Sequence, residues 1–164
     1  MSTSQWHRCY TSRVAASPGR LFDLVADMPN YDRWLPPSDD FARTTEVEPY
    51  PVQRGSRYRD GKPGEPGKEW WGTVTGFQRP GSVDFQHTIR VRQLRATIDV
   101  HVHYSFEEAE AGTAVSRWLL IDFSMPVVFR PLRPLITSRF DRENLQTLAA
   151  VKDYAEAHAG EPEG

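Results

Sequence analysis

Residues 17–36 read S-P-G-R-L-F-D-L-V-A-D-M-P-N-Y-D-R-W-L-P, a short helix, a proline break and a second turn. Ser17 is a good N-cap, because its hydroxyl can accept from a free backbone N–H of the first turn. Pro18 fits the first helical position, where no N–H is needed. Leu21, Leu24, Val25 and Met28 follow at the spacing of a buried helical stripe. Pro29 and Asn30 stop the helix, and Tyr31 and Trp34 sit on the turn after it. These residues matter for architecture and not for chemistry. They place a two-part helix between a first strand and a long run of strands, and one long helix closes the chain. A sheet that curls around such a helix tends to enclose a cavity.

Outward from this stretch the pattern is strand-like almost everywhere. Residues 5–15 alternate loosely and predict the first strand. P-P-S-D-D is a turn, and residues 41–48, F-A-R-T-T-E-V-E, alternate again. G-S-R-Y-R-D is a short strand. G-K-P-G-E-P-G holds three glycines and two prolines in seven residues, which leaves a loop and no regular structure. K-E-W-W-G-T-V-T-G-F-Q-R and V-D-F-Q-H-T-I-R-V are strands joined by R-P-G-S. The clearest strand is A-T-I-D-V-H-V-H-Y-S-F, where Ile98, Val100, Val102, Tyr104 and Phe106 hold one face. E-E-A-E-A-G turns it into T-A-V-S-R-W-L-L-I-D-F. After Met125-Pro126 the pattern is helical to about His158. Leu132, Ile136, Phe140, Leu148, Val151 and Ala155 lie on or near one stripe, with Asn144 in its middle. A polar amide there must find a partner or line a wet cavity. Pro131 and Pro134 fit a first turn or an irregular lead-in. The tail A-G-E-P-E-G reads as frayed.

With 164 residues the chain is most simply one domain, 1–164 with an ordered core of about 5–158, and large enough to hold a core and a cavity. A net charge of -2 argues against a general nucleic-acid or anionic-membrane binder. The lone cysteine, Cys9, cannot form an intrachain disulfide, which fits a reducing compartment. The first residues lack a basic region followed by an apolar core, so no signal peptide is expected. No apolar run approaches the ~20 residues of an integral membrane segment. A cytoplasmic protein is expected. Aromatic residues make up 12% of the chain, which fits a wide apolar interior.

The order is strand, two small helices, six antiparallel strands and a long helix. With S-P-G-R-L-F-D-L-V-A-D-M-P-N-Y-D-R-W-L-P, the hairpin Y-S-F-E-E-A-E-A-G-T-A-V and the ending R-E-N-L-Q-T-L-A-A-V-K-D-Y-A-E, the chain resembles the START-related (SRPBCC) superfamily. Within it, the chain is most similar to the polyketide cyclase/dehydrase and lipid-transport-like group. The resemblance implies an α+β helix-grip fold. A curved seven-stranded antiparallel sheet would wrap the C-terminal helix, with two short helices after the first strand at the mouth of a cavity. Relatives bind lipids, quinones, hormones or polyketides, and some catalyse, so the fold gives a ligand class and not a reaction. Aromatase/cyclase relatives place a cavity arginine on the strand that here reads W-W-G-T-V-T-G. This chain has no arginine on that strand before Arg79 at its end, which favours binding over cyclisation.

Candidate chemistry is sparse. Asp99, His101 and His103 alternate on one strand face, and two histidines at i and i+2 can reach one zinc ion. They oppose Val100, Val102 and Tyr104, which are expected to face the cavity, so a solvent-facing position without metal is preferred. His87 shares a face with Val83, Phe85 and Ile89 and points inward. It could act as acid or base near neutral pH, or simply hold a ligand, and no acidic partner is assigned to it. Tyr58 and Tyr104 offer inward apolar area with a polar tip. Arg117 and Asp122 lie on a strand apolar on both faces, so their directions stay open. Inward, Arg117 would be the one cation able to meet a carboxylate or enolate oxygen. Trp34 and Tyr31 could gate the mouth or pin the small helix, and pinning is preferred. Arg90, Arg92 and Arg95 cluster at a turn that is solvated by default. No P-loop, G-x-S-x-G or dinucleotide fingerprint occurs.

The expected function is therefore binding or transfer of a hydrophobic small molecule: a lipid, a polyketide or an isoprenoid. The expected ligand-binding residues are Tyr58, Phe85, His87, Val102, Tyr104, Arg117, Phe140 and Asn144, with no cofactor and no metal. The alternative is a cyclase/aromatase or dehydratase moving protons with His87, a tyrosine or Arg117. A homodimer is left open.

Overall fold

The computed structural model describes residues 2–38, 43–61 and 69–160. The predicted loop 61–67 beyond Gly61, Lys68 of the strand predicted after it, the last two residues of the P-P-S-D-D turn, the first two residues of the second predicted strand and the last four residues of the tail lie outside them. Seven strands form one antiparallel sheet: β1 (Ser2–Val14), β2 (Arg43–Glu48), β3 (Arg57–Gly61), β4 (Glu69–Gln78), β5 (Ser82–Val91), β6 (Ala96–Ala109) and β7 (Gly112–Met125). Their order is β1-β7-β6-β5-β4-β3-β2. Each strand from β2 to β7 thus pairs with the next, and only the link from β1 to β2 crosses the whole sheet. That link carries helix α1 (Pro18–Ala26) and a 3-10 turn, Met28–Arg33. Helix α2 (Arg133–Ala157) packs mainly along β1 and touches α1. This is the helix-grip arrangement.

The local reasons follow the sequence closely. The Ser17 hydroxyl accepts from the Arg20 amide, and Pro18 occupies the first turn of α1. Its buried face is Leu21, Phe22, Val25 and Ala26. Phe22, left out of the expected stripe, meets Phe77 and Phe106 edge-on with ring centroids 4.9 and 6.1 Å apart, while Leu24 is only half-buried. Strand β1 starts at Ser2 because it pairs with the full length of β7, from Ser2↔Met125 to Val14↔Thr113. On β6 the alternation is complete, with Ile98, Val100, Val102, Tyr104 and Phe106 all buried.

Helix α2 needs one correction. Phe140, Asn144, Leu148, Val151 and Ala155 are buried, but Leu132 is 39% exposed. The helix proper begins at Arg133, after a 3-10 lead-in, Val127–Leu132, with Pro131 inside it. A 3-10 turn has three residues per turn and not 3.6. Leu132 is therefore out of phase with the stripe and turns outward.

Candidate functional site

Between the inner face of the sheet, α2 and the Met28–Ser38 segment lies a cavity of about 150 Å³. Its floor comes from residues of five strands, with Thr44 of β2 at the edge. Tyr58 and Asp60 rise from β3, Phe85 and His87 from β5, Val102 and Tyr104 from β6, and Arg117 from β7. Asn144 and Thr147 of α2 form the roof, and Met28, Tyr31 and Leu35 close the side.

The register explains how these side chains meet. Tyr58 on β3 faces Gly72 on β4, and Gly72 faces His87 on β5. A Cβ at Gly72 would lie 2.1 Å from Tyr58 Cζ. The absent side chain leaves the space that the tyrosine ring crosses to reach the next strand. There its hydroxyl lies 3.0 Å from His87 Nδ1. Burial, then Arg117, then His101 hold the His87 pKa down at about 4, so the imidazole is neutral at pH 7. Burial pushes the Tyr58 phenol well above its usual range, so it is a hydroxyl donor and acceptor.

Arg117 points inward. Its register partners are Tyr10 on β1 and Tyr104 on β6, and the guanidinium stands over the Tyr104 ring, 4.7 Å from the centroid. Its Nε donates to Asn144 Oδ1 at 2.5 Å, and the Asn144 amide donates to the Phe140 carbonyl at 2.7 Å. The second bond turns the amide so that its oxygen faces the cation. Among the described residues no carboxylate pairs with Arg117. Burial lowers its pKa to about 10, with Tyr31, Tyr10 and Tyr58 acting in the other direction. It remains a cation at neutral pH.

Asp60 is the functional group that the sequence reading missed. Burial raises its pKa to about 6; a hydrogen bond donated by Thr44 Oγ1 at 2.7 Å pulls it back only in part. Trp70, its register partner on β4, pulls weakly in the same direction, although the indole N–H reaches no acceptor at ordinary hydrogen-bond geometry. The signal was available: the alternation that turns Tyr58 inward turns Asp60 inward too. Glu143, beside Asn144, was also missed. It accepts from Ser38 Oγ at 2.8 Å and ties the mouth segment to α2.

The remaining candidates are placed as follows. Phe140 is buried one turn before Asn144 but does not line the cavity. Tyr31 does line it. Its hydroxyl donates to the Val25 carbonyl, and Trp34 packs edge-on against it at 4.8 Å, so the pair pins the small helix and walls the cavity at once. Asp99, His101 and His103 project from the opposite, outer face of β6 to the buried residues. There His103 Nδ1 lies 2.6 Å from Asp84 Oδ1, and Asp99 accepts from Thr88. Asp122 also faces outward and accepts from Gln5 at 3.0 Å. Arg90, Arg92 and Arg95 are exposed.

Among curated proteins, none matches the chain in sequence. Solved structures match its fold. An uncharacterised protein of Rhizobium leguminosarum is 11% identical, with 95% of this chain and 97% of that one covered and a TM-score of 0.69. The ZhuI aromatase/cyclase of Streptomyces sp. R1128 is 18% identical over 94% of this chain and 96% of that one, with a TM-score of 0.63. Norcoclaurine synthase of Thalictrum flavum is 15% identical over 96% and 98%, with a TM-score of 0.60. The family model described as polyketide cyclase / dehydrase and lipid transport matches residues 7–156. The chain, with its seven-stranded sheet gripping α2 over a polar-floored cavity, belongs to the polyketide cyclase / dehydrase and lipid transport family.

Proposed function

We propose that the protein binds a hydrophobic small molecule that carries an acidic or enolic oxygen, such as a lipid, polyketide or isoprenoid acid. The apolar body rests against Phe85, Val102 and Leu35, and the oxygen meets Arg117. One observation carries this reading: a largely enclosed guanidinium, facing the cavity, whose contacts among the described residues are an amide oxygen and a ring face, with no carboxylate. A buried charge without a counter-ion is costly, and an anionic ligand supplies the missing partner. The family description and the aromatase/cyclase neighbour support a ligand of this class. We place this binding in the cytoplasm, where Cys9 stays reduced. No helix of the described residues is long and apolar enough to cross a membrane.

The test uses matched aromatic ligands, a carboxylate and its neutral carboxamide, in titration calorimetry. A charge-assisted hydrogen bond is worth about 1.5–3 kcal/mol. The carboxylate should therefore bind at least about tenfold tighter, and Arg117→Leu should erase the difference. Equal binding of the two ligands by the unmodified protein would sink the reading. Native mass spectrometry of the purified protein would then identify any ligand that co-purifies.

A second reading is favoured by the Tyr58–His87 pair together with Asp60. In a dehydratase or cyclase, neutral His87 would take a proton from carbon next to a ketone, and Arg117 would hold the enolate oxygen. Asp60, protonated below about pH 6, would give its proton to a leaving hydroxyl, which departs as water. His87→Ala separates the classes. It should change affinity by about 1–2 kcal/mol if the protein only binds. It should abolish turnover of a poly-carbonyl substrate, with binding nearly intact, if the protein catalyses.

A further inference from the structure

Large apolar side chains are exposed at one end of the molecule. Val127 is 61% and Val128 74% exposed, both on the 3-10 lead-in, and Leu132 and Leu135 follow at 39% and 55%. Phe129, between them, is partly buried against the core and ties the turn down. Prolines at 126, 131 and 134 restrict its backbone. This turn therefore presents its valines from a fixed base.

The same end of the sheet carries the turn between β5 and β6. Val91 pairs with Ala96, Thr97 pairs with Ser124, and Met125 pairs with Ser2. Arg90, Arg92 and Arg95, all exposed, thus share this end with Arg130 and the valines. Stretches 85–98 and 123–140 together hold six arginines and no aspartate or glutamate. Without those six, the chain's twenty basic residues fall to fourteen against 22 acidic ones. The positive charge is concentrated here on an otherwise acidic protein. Of the nearby carboxylates, Glu69, at the start of β4, is paired with Arg59 at 3.4 Å, while Asp99 and Asp122 accept only from the uncharged Thr88 and Gln5 and lie on the outer sheet face away from the turn's tip. Arg133 is also engaged, donating to the Gln5 carbonyl at 2.6 Å. The arginines at 90, 92, 95 and 130 supply the outward charge.

We propose that this end docks on an anionic lipid bilayer, with Val127 and Val128 in the interface and the arginines on the lipid phosphates. Apolar residues ringed by long cationic side chains match the layered polarity of a bilayer surface, where arginine stems lie along the apolar layer and their heads reach the phosphates. Two short β-branched side chains offer a protein partner little area, but in a bilayer interface each leaves water almost completely. Helix α2 begins in this surface and carries Asn144 into the cavity, so docking would bring the ligand cavity to a membrane. The docking itself stands whatever the cavity holds.

The experiment is co-sedimentation of the full chain with vesicles of phosphatidylcholine, with and without phosphatidylserine. We expect binding only with phosphatidylserine, weakening as salt rises. Val127→Asp with Val128→Asp should weaken it by roughly tenfold or more, and so should Arg92→Glu with Arg95→Glu. Both pairs are exposed, so circular dichroism and melting should stay native. Absence of binding to the phosphatidylserine vesicles at low salt would overturn the proposal, as would undiminished binding by both double variants. Retention on an immobilised acidic polypeptide without vesicle binding would also overturn it and assign this face to an acidic protein.

Discussion

Gly72→Ala tests the construction of the cavity floor. The new methyl would lie 2.1 Å from Tyr58 Cζ and 2.4 Å from its hydroxyl oxygen. Carbon atoms settle at about 3.5–4.0 Å, so the ring must move by more than about 1 Å. The Tyr58–His87 contact at 3.0 Å then stretches beyond hydrogen-bond range. Overpacking costs about 1–3 kcal/mol, and stranding a buried hydroxyl or ring nitrogen costs about 1–3 kcal/mol more. A loss near 3–4 kcal/mol is expected, or roughly 10 °C in melting temperature for a domain of this size. Backbone strain does not contribute, because Gly72 does not sit at positive φ. With the tyrosine removed the sign should reverse. In a strand, alanine is better than glycine by about 0.5–1 kcal/mol, so Gly72→Ala in a Tyr58→Val background should be neutral or stabilising. Urea denaturation of the four proteins completes the cycle. The same cost in both backgrounds, or none in either, would show that Tyr58 does not lie over Gly72.

Two further outcomes follow from the same site. The Asp60 carboxyl is held at about 6 against 3.8 in the unfolded chain, so the folded state binds this proton more tightly and stability falls as pH rises from about 4 to about 6. His87 is held at about 4 against 6.5, so the unfolded chain binds that proton more tightly and stability rises between about pH 4 and 6.5. Each slope is worth at most about 3 kcal/mol, and in the natural protein they oppose. Asp60→Asn should expose the rising slope and His87→Gln the falling one. Urea midpoints across pH 4–7 that track the natural protein in both variants would refute these settings. Val102→Trp should block the cavity, abolishing uptake of an apolar fluorescent probe while circular dichroism stays native-like. Undiminished uptake would place the probe elsewhere.

The sheet, α1 and α2 were legible because period-2 and period-3.6 patterns are written residue by residue. Tyr58, Phe85, His87, Val102 and Tyr104 could be assigned inward from alternation alone. Arg117 could not, since Trp118 and Leu120 make the other face of β7 equally apolar. What decides it is the partner on another element: Asn144 supplies an acceptor inside, while the outer face exposes Trp118 by 51%. Asp60 escaped because a carboxylate in a strand reads as solvated until the neighbouring Thr44 hydroxyl is known to reach it. Gly72 escaped because nothing local says that a ring from one strand must cross it to reach the next. Leu132 was misplaced because a change of helical period leaves only prolines as a trace.

The placement of costly groups bears on what this interior is for. A core selected for stability alone avoids a cation with no carboxylate partner among the described residues, a carboxyl held up at about 6 and an imidazole held down at about 4. At about 0.05–0.15 kcal/mol per residue, a chain of 164 residues has little stability to spare. Yet three such groups come from three different strands and converge on one space of about 150 Å³. The surrounding interior is conventional: Val74, Val83, Val115, Ile121 and Val151 are fully buried and apolar. Stability explains the conventional part. It does not explain why these three groups share a single void, since the same groups scattered would have cost as much. A bound molecule does explain it, because one ligand can supply an anion to Arg117 and hydrogen bonds to Asp60 and His87 at once.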